Sequence, residues 1–129
     1  VQLAQKTLGM VIILEHRFYG ESLPFGNDTF KLPNMKLLTS EQALSDTAYF
    51  ISMVNKNKMH GIDKNPWITV GGSYPGALSA WFRAKYPHLT IGAIASSAVV
   101  EAIENYRMFD EQMYLSTVKS GSYCWQAIQ

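Results

Sequence analysis

Short apolar runs alternate with amphipathic segments along this chain, and that alternation limits the folds open to it. The apolar, β-branched runs at 10–14, 67–72 and 91–95 predict strands. The segments 41–55 and 77–86 between them predict helices, and 101–118 predicts further helix. Strand–helix–strand alternation is typical of βαβ units and a parallel sheet. We therefore predict an α/β fold.

The first of these helices has the clearest sequence signals. Thr39 and Gln42 stand at the spacing of a capping box. The apolar positions after them recur at helical intervals, at Leu44, Ala48, Ile51 and Val54. The preceding segment, 20–33, is rich in Gly, Pro, Asn and Asp and predicts a loop.

Composition excludes several classes of protein and leaves a partial globular domain. Of 129 residues, 47% are hydrophobic and 16% charged, which argues against disorder. A net charge of +1 gives no sign of the basic surface that binds nucleic acid. No apolar run is long enough to span a membrane. Three parallel strands would leave exposed edges, so we expect the chain to be a piece of a larger protein. We expect neither a cofactor nor a metal ion.

The segment from Thr69 to Gly76, with Ser73 at its centre, lies where a predicted strand gives way to a helix. A nucleophile elbow needs this context, with a small residue two positions before the serine and another two after it. Gly71 fits the first position, but Pro75 occupies the second and Gly76 comes one residue later. As a nucleophile, Ser73 would be followed by Tyr74, whose backbone N–H points towards the oxyanion. The alternative is a simple strand-ending turn.

Two further features concern processing of the chain. Asn27-Asp28-Thr29 meets the rule for N-glycosylation and lies in the predicted loop. Cys124 is the single cysteine, and is either a free buried thiol or half of a disulfide whose partner lies outside the chain.

Four blocks of sequence together resemble the serine carboxypeptidase S28 family. They are Glu15-His16-Arg17-Phe18-Tyr19-Gly20 continuing to Gly26, the segment 38–46, the elbow block 71–88, and 92–98. The blocks occur in the right order and cover most of the stretch from Leu14 to Ala98.

The resemblance implies a partial α/β-hydrolase core over 1–98 and the start of a helical insertion over 99–129. It implies a serine-type peptidase, either a carboxypeptidase or a dipeptidyl peptidase, that cleaves peptide substrates near a chain end after proline or a small residue. It implies Ser73 as nucleophile, Tyr74 as oxyanion donor, and a lysosomal or secreted location that agrees with a glycan on Asn27 and a disulfide at Cys124. The oligomeric state stays open.

The rest of a catalytic triad is not found in the sequence. In α/β-hydrolases the order along the chain is Ser, then Asp or Glu, then His. His16 and His60 precede Ser73, and His88 lies beyond the following helix, so we interpret all three as structural or surface residues. Asp110 is the only later aspartate and is interpreted as a solvated helix charge. We therefore expect the chain alone to be inactive.

Two alternatives share the same scaffold. A lipase or esterase would use the same elbow, and a non-catalytic interaction protein would keep the fold without the triad.

Two expectations concern packing. We expect Glu15 and Arg17 to form an ion pair, and Trp67, Trp81, Phe82 and Tyr86 to contribute to the core rather than to a substrate cleft.

Overall fold

A computed structural model describes residues 2–128, with the side chain of residue 128 left out. Five helices and two strands follow one another along this part of the chain. They are α1 Gln2–Lys6, α2 Ser40–Asn57, β1 Ile68–Gly72, α3 Tyr74–Lys85, β2 Gly92–Ser96, α4 Arg107–Lys119 and α5 Ser122–Ile128. Short 3-10 turns lie at Gly26–Asp28, Leu32–Leu37 and Met59–Gly61.

The two strands form a parallel pair with α3 as their connection. Val70 lies opposite Ile94 in the register, and Gly72 lies opposite Ser96. Both strands fall within one residue of the predicted ranges 67–72 and 91–95. The coarse prediction is confirmed, because the chain is a mixed α/β structure with a small parallel sheet.

The predicted strand at 10–14 is wrong. Among residues 2–128, the sheet contains only β1 and β2, and 10–14 is irregular backbone. Ile13 is 91% exposed and Val11 51% exposed, so the apolar run is not buried between other elements. A strand exists only where a neighbouring backbone pairs with it, and within residues 2–128 no backbone forms a strand pairing with this segment.

Helix α2 begins at its predicted cap and carries the main core. The Thr39 hydroxyl accepts a hydrogen bond from the Gln42 N–H at 3.2 Å, which is one half of a capping box. Leu44 and Ile51 are buried against Phe82 of α3. Around them pack seven partly buried residues: Ala48, Phe50, Trp67, Leu78, Trp81, Tyr86 and Leu89. The prediction that the aromatic residues belong to the core is confirmed.

Helix α3 begins three residues before the predicted range 77–86. Tyr74 is its first residue and Pro75 its second. We predicted a later start because proline disfavours helical backbone angles in the residue before it, here Tyr74. The missing N–H of Pro75 costs nothing in the first turn, however, and its fixed φ suits a helix.

The C-terminal region is helical, but the predicted helix 101–118 begins too early. Residues 101–106 form bends and turns, and Asn105 has a left-handed φ of 55°. From Arg107 onward, α4 and α5 pack against each other. The rings of Tyr114 and Trp125 meet edge to face, with 4.6 Å between their centroids. None of the helices described over 2–128 is both long and apolar enough to cross a membrane.

Candidate active site around Ser73

Ser73 lies between the last residue of β1 and the first residue of α3, and its backbone is strained. Its φ of 58° and ψ of −125° are conformations that a residue with a Cβ rarely adopts. The Ser73 N–H donates to the Ser96 carbonyl at 3.0 Å, and its carbonyl accepts from the Ala77 N–H at 3.0 Å. The side chain is exposed at the carboxyl edge of the sheet. Strained residues held by their surroundings cluster at functional sites.

Two glycines allow the tight turn around this serine. A Cβ on Gly71 would collide with the backbone carbonyl of Pro75. A Cβ on Gly76 would lie 3.0 Å from the Ser96 carbonyl oxygen and 3.1 Å from the Ala98 Cβ. Gly76 therefore lets α3 approach β2 closely. The position two after the serine tolerates proline because the close approach to β2 falls on the next residue.

Tyr74 presents its backbone N–H at the start of the helix. The first N–H groups of a helix have no partner inside it, and the helix dipole favours negative charge there. This N–H and the exposed Ser73 hydroxyl belong to adjacent residues at the carboxyl end of β1. The arrangement can position a nucleophile beside a donor for an oxyanion.

The three histidines lie in different surroundings. His16 contacts the side chain of Tyr74, with its Nε2 at 3.1 Å from the phenol oxygen. His60 is exposed next to the apolar segment 10–13, and His88 packs edge-on against Tyr86 at the far end of α3. Within residues 2–128, no hydrogen bond from these rings reaches the Ser73 hydroxyl.

Acidic groups do not complete the site either. Asp110 is exposed in the first turn of α4. Among residues 2–128 there is no cluster of three His, Cys, Asp or Glu side chains that could hold a metal ion.

The expected ion pair between Glu15 and Arg17 is wrong. Arg17 instead binds Asp46 of α2 with two hydrogen bonds, at 2.6 Å from Nε and 2.7 Å from Nη2. Its Nη1 also donates to the Leu37 carbonyl at 2.7 Å and to the Gln42 side chain. The hydrogen bonds to Asp46 raise the pKa of Arg17 above its ordinary value. Proximity in sequence did not reveal this partner, because Asp46 lies in α2, 29 residues after Arg17.

Glu15 stabilises the turn that follows it. Its Oε2 accepts from the backbone N–H of Glu21 at 3.1 Å and of Ser22 at 2.9 Å. Hydrogen bonds from Ser22, and then from the Glu21 backbone, lower the pKa of Glu15. Gly20 has a φ of 54°, and a Cβ there would collide with the Glu15 carboxylate. The segment is therefore folded around a carboxylate.

The two processing candidates lie away from Ser73 in the sequence and in different elements. Asn27 is exposed in the 3-10 turn Gly26–Asp28. Thr29 of the same triplet is fully buried, and its hydroxyl donates to the Gly26 carbonyl at 2.7 Å. Cys124 is half-buried in α5.

One contact near the site escaped sequence reasoning. The Tyr74 phenol lies between His16 and Ser40, the first residue of α2. These residues are 58 and 34 positions from Tyr74. No periodicity or motif spacing links them, so only the folded structure reveals the contact.

Sequence comparisons relate the whole length of the chain to known proteins. The sequence profile of serine carboxypeptidase S28 matches residues 1–129. Lysosomal Pro-X carboxypeptidase of Mus musculus is 45% identical over 130 residues, and the human protein of that name is 43% identical over 129. Prolyl carboxy peptidase like protein 5 of Caenorhabditis elegans is 46% identical over 99 residues, or 76% of this chain and 20% of that protein.

The chain spans only about a quarter of these lysosomal relatives. The match covers 98% of this chain but 26% of the mouse protein, and 97% of this chain but 26% of the human protein.

Proposed function

The chain belongs to the serine carboxypeptidase S28 family, and on this premise we propose that it carries the nucleophile of a serine exopeptidase. The substrate is a peptide, cleaved near a chain end after proline or a small residue. The mouse and human relatives share the name Pro-X carboxypeptidase, which supports a peptide substrate that contains proline.

One observation carries the proposal, namely the strained backbone of Ser73 between β1 and α3. Ser97 also follows a strand with a positive φ, of 45°, but Ser73 combines its φ of 58° with a ψ of −125°, outside the left-handed helical region, and leads directly into a helix. The nucleophile elbow requires such a turn, because it lifts the hydroxyl clear of the sheet and places the next N–H beside it. The lack of room for a side chain at Gly71 and Gly76 supports the same interpretation.

The chemistry divides between this chain and the remainder of the proposed enzyme. The Ser73 hydroxyl attacks the scissile carbonyl, and the Tyr74 N–H donates to the oxygen as it becomes negative. A histidine base and an orienting carboxylate outside this chain take the proton from Ser73 and deliver it to the leaving amine. A second oxyanion donor also comes from outside the chain.

We place the chain in an α/β-hydrolase core over 1–98, with 99–129 beginning a helical insertion. The mutual packing of α4 and α5 supports a separate helical unit after β2. A lysosomal or secreted location is consistent with the lysosomal relatives, with a glycan on Asn27, and with a disulfide from Cys124 to a cysteine elsewhere in the protein.

The test compares Ser73→Ala with Ser52→Ala in the full-length protein. Ser52 is a matched control, because its exposed hydroxyl on α2 only donates to the Ala48 carbonyl at 2.8 Å. We expect Ser73→Ala to abolish both cleavage of a peptide with a penultimate proline and labelling by a fluorophosphonate. Ser52→Ala should retain both.

Two results would contradict the proposal. Cleavage that survives in Ser73→Ala would remove Ser73 from the mechanism. Hydrolysis of p-nitrophenyl esters without hydrolysis of proline peptides would identify an esterase on the same scaffold.

A further inference from the structure

The elbow is attached to two other parts of the fold through one side chain. Ser73 offers no side-chain hydrogen bond that caps α3. The Tyr74 phenol instead reaches His16 at 3.1 Å and the Ser40 hydroxyl at 3.4 Å. The residue whose N–H faces the oxyanion is thus also the residue that connects α3 to the segment before the 20–33 loop and to the start of α2.

Hydrogen-bonding rules fix the direction of this contact. The His16 Nδ1 lies 2.7 Å from the Arg17 carbonyl oxygen, which can only accept, so Nδ1 carries a hydrogen. In the neutral ring, Nε2 then has no hydrogen and accepts from the Tyr74 hydroxyl. The Tyr74 oxygen remains able to accept from Ser40. The three side chains therefore form a directed chain that ends on a backbone carbonyl.

The ring of His16 is itself held in place. Its neighbour Arg17 binds Asp46 with two hydrogen bonds and is mostly buried. The Tyr19 ring packs edge-on against the His16 ring, with 5.3 Å between the ring centroids. Such fixed partners orient an imidazole and select its tautomer.

From this geometry we infer that His16 is a positioning residue that holds the Tyr74 N–H in the oxyanion hole. The inference rests on the proposed function, because it assigns His16 a part in the same site. His16 acts through the Tyr74 phenol and does not touch the reacting atoms. Small displacements of an oxyanion donor weaken binding of the transition state more than binding of the substrate.

The test uses four variants of the full-length protein: His16→Ala, His16→Gln, Tyr74→Phe, and the double variant His16→Ala/Tyr74→Phe. Tyr86→Phe is the matched control. The Tyr86 hydroxyl contacts the Ser45 hydroxyl of α2 at 3.3 Å, which is a similar contact at the opposite end of α3. Cleavage of a penultimate-proline peptide and the rate of fluorophosphonate labelling at Ser73 are both measured.

We expect His16→Ala and Tyr74→Phe each to lower kcat and the labelling rate about tenfold, with KM changed less than about twofold. The double variant should be no slower than either single variant, because both remove the same contact. In His16→Gln the side-chain carbonyl can accept from Tyr74, so most of the rate should return. Tyr86→Phe should resemble the wild type.

The other outcomes overturn the inference, the proposed function, or both. Additive losses in the double variant, or no loss in His16→Ala, would show that His16 does not act through Tyr74. A loss of a thousandfold or more in His16→Ala, without rescue by Gln, would make it the base itself. Wild-type labelling without peptide cleavage would refute the exopeptidase proposal alone, since labelling still measures the role of His16. A wild type without labelling refutes both.

Discussion

At Ser73, a single residue keeps a costly backbone conformation because its neighbours leave room for it. Positive φ at a residue with a side chain costs on the order of 1–3 kcal/mol. The surrounding hydrogen bonds to Ser96 and Ala77 hold this conformation in place. Gly71 contributes differently, since it supplies the empty space into which the Pro75 carbonyl fits.

Gly71→Ala should therefore damage the elbow, whereas Gly72→Ala should not. The new Cβ at 71 collides with Pro75, while at 72 the nearest atom is the Ser96 carbonyl oxygen at 3.8 Å, an ordinary contact. We expect Gly71→Ala to lower the free energy of unfolding by about 2 kcal/mol and to slow fluorophosphonate labelling at least tenfold. Gly72→Ala should stay within about 0.5 kcal/mol of the wild type. Equal effects of the two alanines would contradict this account of the turn.

Some residues of this candidate site could be proposed from the sequence, and others could not. Ser73, Tyr74 and Gly71 follow from a local rule, because a strand, a turn and a helix lie within ten residues. The use of Gly76 in place of a glycine at 75 depends on how closely α3 approaches β2. The contact of His16 with Tyr74 depends on the packing of three segments. Neither is encoded in local spacing.

Glycosylation of Asn27 can be separated from folding of its loop at the level of single atoms. Asn27 is exposed, so Asn27→Gln should remove the glycan and leave the loop intact. Thr29 is buried, and its hydroxyl also accepts from the Phe25 N–H at 3.2 Å. Thr29→Ala should therefore remove the glycan and lower the free energy of unfolding by about 1–3 kcal/mol.

Electrophoretic mobility before and after endoglycosidase treatment measures the glycan, and thermal unfolding of the deglycosylated proteins measures stability. Thr29→Ser is the control, because it preserves the triplet and the hydroxyl. An unshifted wild-type band in a secreting eukaryotic host would refute modification at Asn27.

Between elements, Arg17 is the main polar connection from the first loop to α2. Its guanidinium binds both carboxylate oxygens of Asp46 and has an exposed side-chain fraction of only 21%. A lysine cannot reproduce two parallel hydrogen bonds. We expect Arg17→Lys to lower the free energy of unfolding of the full-length protein by about 2 kcal/mol, as measured in urea.

The exposed pair of Lys31 and Asp28 provides the comparison. Its ammonium and carboxylate are 2.8 Å apart, but both side chains are more than half exposed. Removing that charge with Lys31→Met should change the free energy of unfolding by less than about 0.5 kcal/mol. If Lys31→Met were as costly as Arg17→Lys, burial and bidentate geometry would not be the cause.

The turn around Glu15 should loosen in acid. Its pKa is lowered in the folded protein, so the ionised carboxylate stabilises the fold above the ordinary carboxyl pKa of 4.5. That contribution is lost as the pH falls through the lower, folded pKa, when Glu15 is protonated. In Glu15→Gln, the free energy of unfolding should therefore fall less steeply as the pH is lowered. Hydrogen exchange of the Glu21 and Ser22 amides should be faster in this variant at pH 6, and unchanged exchange would contradict the assignment.

The predictions for individual elements succeeded where an element makes its own hydrogen bonds or has its partner in the chain. Helix α2 has its cap, its periodicity and its core partner α3 within this sequence. β1 and β2 pair with each other across one helix. The apolar run at 10–14 has strand composition but no partner among the described residues, so composition alone misled the prediction.

At the scale of the whole molecule, the chain exposes more surface than a compact protein of its mass. A folded monomer of 14.5 kDa should expose roughly 6,900 Å². This chain exposes 9990 Å². One face of the sheet is bare, with Ile68 49% and Val70 66% exposed. We propose that the remainder of a longer enzyme covers this surface, as the 26% coverage of the mouse relative suggests.

The isolated 129-residue chain should therefore be inert although it contains Ser73. Its hydroxyl makes no hydrogen bond to a histidine or carboxylate among the described residues, and loss of the base lowers rates by several orders of magnitude. We expect no detectable fluorophosphonate labelling of the isolated chain under conditions that label the full-length enzyme within minutes. The Ser73→Ala chain gives the background, and circular dichroism shows whether the isolated chain is helical. Labelling at a rate like that of the intact enzyme would mean that a base lies within this chain, with His16 as the first residue to replace.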